Sequence, residues 1–375
     1  MKSSYRVVKL GDFLEETNER NSYLENIPLL GISNEKKFIP SIANIVGTDL
    51  SSYKIVNKNQ FAYITVTSRN GNKISVALLS DYNKCIVSSS YITFKVKDNT
   101  NLDSQYLLLW FKRNEFDRYS RFKSHGSTRE TFDWDDMCNI DFPLPPLEEQ
   151  VKIVEQYNVI SKSIEIKQAI NDNLLEQIRN IYNQIKSIPL IHLSDIPTLK
   201  EIKSGINKYE GQKQYFATGD IDFLLFSDTY QKVKYDERPS RANMQPIENS
   251  VWFAKMQNTK KLLWFDSKSA NINKLILSTG FFGIKIDPKF LYYLISFMLV
   301  GEFETQKDKY ATGTTQLSVN SSILNKVKIP FEEAIATKYN KIYEKIINNI
   351  ASNNKQIEKL NKLKYILIER TGMLQ

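Results

Sequence analysis

Residues 126–143 read GSTRETFDWDDMCNIDFP, and residues 313–330 read GTTQLSVNSSILNKVKIP. The two align without a gap: Gly126 falls over Gly313, Thr128 over Thr315, Asp133 over Asn320, Asn139 over Lys326 and Pro143 over Pro330. Each runs into a long, charge-rich stretch with apolar residues at steps of three and four, 147–186 after the first and 331–369 after the second. In the first, Ile153, Tyr157, Ile160 and Ile164 lead to Leu174, Ile178, Ile181 and Ile185; in the second, Ile335, Tyr339, Ile342 and Ile346 lead to Ile357, Leu360, Leu363 and Leu367. This spacing predicts two long amphipathic helices. A helix of ~40 residues is ~60 Å long and unstable alone in water, so each needs a long partner, and the other is the obvious one. Both stripes lapse at the same place, AINDN at 169–173 and ASNNK at 351–355. In an antiparallel pair Asn171 would come near Asn353, a polar layer that sets register and orientation. The alternative is that both Asn-rich patches are kinks or solvated turns.

The duplication extends upstream. Asn59–Thr67 and Lys73–Ser80 flank Ser68-Arg69-Asn70-Gly71-Asn72, a hairpin signal between β-rich runs. Cys85–Val96 reads as a further strand, and YLLLWFKRNEFDRY after Asp103 has helical spacing. The second half repeats the order: Asn249–Lys255 and Lys261–Asp266 around a polar turn, then Leu275–Ile286, then FLYYLISFMLVGEF after Asp287-Pro288. Even the entrances correspond, Leu10-Gly11-Asp12-Phe13 against Leu193-Ser194-Asp195-Ile196. A whole α/β domain is duplicated, giving domains at 1–146 and 188–330 and helices at 147–187 and 331–375.

The 375 residues suffice for two or three domains, and 41% hydrophobic content places the chain among folded proteins. A net charge of +9 suits a polyanionic partner, although lysine is spread evenly enough to be a compositional habit. Two cysteines and two histidines without ligand spacing argue against a disulfide scaffold or a metal site. The start, MKSSYRVVKLGDF, lacks the apolar core of a signal peptide, and Phe290–Val300 is too short and too interrupted to span a bilayer. The reading is a soluble, cytoplasmic protein without membrane partners.

At 142–150 the chain reads FPLPPLEEQ, followed by the first long helix. With the Gly-Ser/Thr-Thr segment upstream, Tyr215-Phe216-Ala217-Thr218-Gly219-Asp220-Ile221, Arg238-Pro239-Ser240-Arg241-Ala242 and the run FAKMQNTKK at 253–261, it resembles the specificity subunit of type I restriction-modification enzymes over essentially its whole length. One departure stands out: the second copy passes from Ile329-Pro330 straight to Phe331-Glu332-Glu333, without a Leu-Pro-Pro-Leu turn. The resemblance implies an α+β fold, with two duplicated α/β target-recognition domains separated by two long helices forming an antiparallel coiled coil. It also implies a non-catalytic subunit in which each domain reads one half of a split site in double-stranded DNA. The helices would fix the gap and dock two methyltransferase subunits, with motor-nuclease subunits joining in the restricting enzyme.

The residues agree with a reader that recruits its chemistry. No Asn/Asp-Pro-Pro-aromatic segment, glycine-rich cofactor loop or Gly-Lys-Ser/Thr loop is present, so no cofactor and no metal is expected. Two other classes stay open: a single-chain methyltransferase or nuclease with an attached reader, and a coiled-coil protein-binding adaptor. The expected DNA contacts are Thr67, Ser68, Arg69, Asn70, Lys73, Ser127, Thr128 and Arg129 in the first domain. In the second they are Arg238, Ser240, Arg241, Lys255, Gln257, Asn258, Lys260 and Lys261, with Thr314, Thr315 and Gln316. Arg, Asn and Gln can read purine edges bidentately, while Lys, Ser and Thr mostly hold phosphates. Arg69-Asn70-Gly71 reads equally as a solvated hairpin tip. The Gly-Thr segments recur in both copies and so read better as structural or phosphate-binding than as base-reading. Positions that differ, such as Arg69 and Gln257, suit sequence choice. Trp110, Trp134, Trp252 and Trp264 fall in strand or helix patterns and read as core.

Overall fold

The computed structural model describes residues 5–372 except 43–46, 67–72, 99, 125–129, 227–229 and 315. It divides into two units, Met1–Ile164 with Glu358–Gln375, and Glu165–Ile357. In the first, Arg6–Lys9 pairs antiparallel with Asp141–Leu144, so the chain enters and leaves the domain at one place. Between them lies an antiparallel sheet ordered Leu14–Thr17, Tyr91–Val96, Phe61–Ile64, Val76–Leu78. Lys54–Asn57 pairs separately with Lys84–Val87, and Leu30–Ile32 with Phe38–Pro40. Helices α1 (Ser104–Phe111), α2 (Asn114–Lys123) and α3 (Trp134–Cys138) complete the domain. Phe61 stacks on Phe94 with ring centroids 4.9 Å apart, and Trp110, Phe111, Phe116 and Phe132 close the core around them.

Helix α4 (Leu147–Ile185) leads into the second unit, which repeats this plan. Leu190–His192 pairs with Lys328–Pro330, and a four-stranded sheet runs Lys200–Ile202, Phe281–Lys285, Ser250–Ala254, Leu262–Phe265. α5 (Pro288–Leu299) and α6 (Glu302–Lys309) stand where α1 and α2 stood, and α7 (Glu333–Arg370) where α4 stood. The second sheet is larger here, with Lys213–Phe216 parallel to Leu275–Ser278. In the first unit that parallel contact shrinks to a single bridge, Leu29 to Ile86. The entrances are equivalent to the hydrogen bond: Leu10 N–H donates to Ile140 O and Leu193 N–H to Val327 O, both at 3.0 Å.

Core chemistry differs between the copies where topology does not. Trp252, wholly buried, lies opposite Gly283, and a Cβ there would sit 2.5 Å from the indole ring. At the equivalent cross-strand pair the first unit has Ala62 opposite Thr93. Trp110 and Trp252 are buried, and Trp134 and Trp264 pack half-buried on the cores.

Two sequence expectations change. Cys85–Val96 is two strands in different sheets, because Ser88 turns the chain: its carbonyl accepts Tyr91 N–H at 3.1 Å and its hydroxyl Ser90 N–H at 3.4 Å. Leu275–Ile286 breaks at the same place, around Thr279-Gly280. The helical run after Asp103 is also two helices. Arg113 is extended between α1 and α2, as Gly301 (φ 92°) separates α5 from α6. Asp103 and Asp287 cap the starts of α1 and α5, accepting from Tyr106 N–H and Lys289 N–H.

α4 and α7 are continuous through both Asn-rich patches, which leaves no solvated turn there. Asn353 Nδ2 donates to Asn171 Oδ1 at 3.0 Å, and Asn171 Nδ2 donates to Asn354 Oδ1 at 2.8 Å. From Tyr157 to Asn171 on α4, the partner on α7 recedes from Lys364 to Asn353, so the pair is antiparallel.

The motif at the start of α4 has a structural reason. Gln150, fully buried, accepts Asp103 N–H at 2.8 Å and donates to Asn101 O and Pro145 O at 2.7 and 2.8 Å. The second copy lacks the Leu-Pro-Pro-Leu turn and does this work one helical stretch later. Asn340, 6% exposed, accepts Tyr292 N–H and Tyr293 N–H and donates to Pro288 O.

Gln150→Leu and Asn340→Leu should each lower stability by about 1–3 kcal/mol or more, since buried backbone groups lose their partners. Urea unfolding beside the exposed control Gln156→Leu checks this, the control shifting by less than about 0.5 kcal/mol. A double-mutant cycle of Asn171→Ala with Asn353→Ala should return a coupling of about 0.5–1.5 kcal/mol; additivity would mean the amide layer contributes nothing.

Candidate nucleic-acid interface

In the second unit, Ser250–Ala254 runs out of its sheet into the polar turn 256–260. Backbone hydrogen bonds stitch neighbouring segments side by side there. Lys255 N–H donates to Gly280 O (2.9 Å), Val319 N–H to Lys255 O (3.0 Å), Gln257 N–H to Leu317 O (2.9 Å) and Thr279 N–H to Arg241 O (2.9 Å). The Gly-Thr-Thr loop closes on itself through paired bonds between Thr312 and Ser318. Gly313 sits at φ 147°, and a Cβ on it would lie 2.4 Å from Gln316 O, so glycine is required by the turn. Arg241, Lys255, Gln257, Asn258, Thr314 and Gln316 are thereby gathered at one edge.

Their side chains divide into anchored and free. Gln257 Nε2 donates to Asp308 O at 3.1 Å, and Asn258, left-handed at φ 55°, donates its N–H to Asp308 Oδ1 at 3.1 Å. Lys261 Nζ donates to Thr218 O, drawing the Ala-Thr-Gly-Asp segment to the same edge. Arg238 is committed to its own loop, with donors on Tyr235 O and Ala242 O and its guanidinium 4.2 Å from the Tyr235 ring centroid. Ser240 and Arg241 are exposed, and the Arg241 guanidinium takes no partner among the described residues. Burial holds the Lys255 ammonium below its ordinary value, opposed by Glu201. Burial does the same for Lys260, opposed by Glu304, and its ammonium lies 4.7 Å from the Phe223 ring centroid. Thr314 and Gln316 are exposed, while Thr315 lies outside the described residues.

In the first unit Thr67, Ser68, Arg69, Asn70, Ser127, Thr128 and Arg129 lie outside the described residues. The chain flanking them repeats the second unit's pairing: Val66 bridges Thr131 antiparallel, as Met256 bridges Ser318. Lys73 is exposed and ion-paired with Glu35 at 2.8 Å.

The residues that fix these segments were not singled out by the sequence. Lys307 on α6, wholly buried, pairs with Glu304 at 2.5 Å and donates to Thr259 O at 2.9 Å, pinning the 256–260 turn from below. In the first unit the buried pair Lys36–Asp117 (2.6 Å) plays the corresponding part. Asp117 Oδ1 accepts Ile74 N–H and Lys36 Nζ donates to Ile74 O, where the chain re-enters the sheet. Spacing alone shows Glu304 and Lys307 as an ordinary surface pair; only their burial reveals the role. The arrangement offers amide, guanidinium and ammonium groups on a polar edge, chemistry suited to base edges and phosphates.

Among the described residues no group of three or more His, Cys, Asp or Glu side chains could hold a metal ion, and no helix is long and apolar enough to cross a membrane. Residues 2–176 match the family model of the type I restriction modification DNA specificity domain. No curated protein matches the chain. Among solved structures, the type I restriction-modification system S subunit from M. genitalium is similar at TM-score 0.56 and 14% identity, over 98% of this chain and 96% of that one, and shares the fold. The HsdS subunit from Thermoanaerobacter tengcongensis aligns at TM-score 0.41 and 14% identity, over 99% of this chain and 97% of that one. The first half of the chain, residues 2–176, thus carries a type I restriction modification DNA specificity domain, and the second half repeats that domain's topology.

Proposed function

We propose that this specificity subunit reads a bipartite site in double-stranded DNA, each recognition domain contacting one half, and that it has no catalysis of its own. The observation that carries this reading is a repeated pairing at the polar edge: Val66 bridges Thr131 in the first copy as Met256 bridges Ser318 in the second, where further backbone bonds join the turn to the Gly-Thr segment. The copies keep that scaffold and change what it presents. Where the first domain has Arg69 the second has Gln257, a difference suited to two unlike half-sites. The recognition domains are 1–146 and 188–330, and the helices between and after them act as spacer and as docking rods for two methyltransferase subunits, with motor-nuclease subunits in a restricting complex. DNA contacts are assigned to the residues expected from sequence. Within them Arg241, Gln257 and Gln316 take base-edge roles, Lys255, Lys260, Lys261 and Thr314 phosphate roles, and Arg238 supports its loop. A cytoplasmic location follows from such a task.

Arg241→Ala, assayed in cells with the cognate methyltransferase, should relax one position in one half of the methylated motif. It should cost about 1–3 kcal/mol in duplex binding. Sequencing of methylated bases reads the motif directly; an unsplit motif, or an unchanged motif and modification level, would sink the reading. Lys261→Gln should weaken binding to all duplexes alike and reduce the salt slope by about one counterion.

A further inference from the structure

We propose that a recess in the first unit, which shares Lys73 at its mouth with the residues assigned to DNA, is a binding site for a small phosphorylated anion such as pyrophosphate or the phosphate tail of a nucleotide. The recess has a volume of about 350 Å³ and lies between the recognition domain and the helices α4 and α7. Its lining carries five lysines against two carboxylates. Both carboxylates are already engaged: Glu35 with Lys73 at the mouth and Asp117 with Lys36 in the floor. Lys37, Lys112 and Lys364 are left without a carboxylate partner among the described residues.

Tyr157 organises the inner wall. Lys112 Nζ donates to its hydroxyl at 3.1 Å, and Lys364 bonds to the same oxygen while its ammonium lies 4.8 Å from the ring centroid. Both acceptor positions of the phenol are thus filled by cations, which leaves its own O–H to be donated. Burial would raise the phenol, yet Lys112 and then Lys364 draw it below its ordinary value. Two ammoniums held together on one oxygen repel each other, and an oxyanion that accepts from both and from the phenol relieves this. The donors come from the domain (Lys37, Lys112) and from the helices (Tyr157, Lys364), so an occupant would tie the two together. A duplex presents its phosphates on a broad convex surface, whereas these donors lie inside a recess; a free anion fits them better.

Calorimetric titration of the full chain with inorganic pyrophosphate should give one saturable site. Lys364→Gln should weaken it about tenfold or more, and Tyr157→Phe by about three- to tenfold. Pyrophosphate should raise the melting temperature of the parent chain and do so less for either variant, a readout that also checks that both variants fold. Saturating duplex DNA should leave pyrophosphate affinity unchanged. Absence of a saturable site, affinity unchanged from the parent in both variants, or stoichiometric displacement by duplex would each overturn the assignment, the last by making the recess a contact for backbone phosphate.

Discussion

Two buried side-chain amides hold this architecture in place. Gln150 and Asn340 each reach from a long helix to the backbone at the start of a domain helix, and satisfy polar groups there. A helix the length of α4 or α7 has no reason to persist by itself. It does so because one end is welded to a recognition domain and its apolar stripe is covered by the other helix. Every feature downstream assumes that weld: the polar edge is useful only if the domain bearing it has a fixed attitude on its rod.

The same economy of charge appears at the polar edge. Lys307 and Lys36 are interior cations whose compensation comes partly from carboxylates and partly from backbone carbonyls. Breaking one partner of such a set leaves an uncompensated charge in the interior, a far larger penalty than any surface pair supplies. Their placement beneath the turns that carry the polar groups links stability to geometry. In the second unit the turn at 256–260 rests on a buried ion pair.

Much of this was legible in the sequence. The duplication, the helix pair and the meeting of Asn171 with Asn353 follow from periodicity, which reports burial patterns directly. What periodicity cannot show is a reversal of direction within an apolar run: Cys85–Val96 is continuous in composition and broken in space, because three serines turn it. Nor can it show which charges are interior. Lys307 is one lysine among many until its exposure is known to be nil. The interchange of Gln150 for Asn340 was invisible for another reason. The second copy dropped a turn and re-solved the same capping problem from a different position, so alignment pairs Gln150 with a residue that does something else.

The wholly enclosed indole of Trp252 against Gly283, beside Ala62 against Thr93 in the other copy, constrains how such a protein can change over generations. Grafting a single strand from one lobe into the other would ram a bicyclic ring into a threonine, or leave a void where that ring belonged. A whole domain exchanged through its paired entrance keeps each such pair together, whereas exchange of one strand separates it.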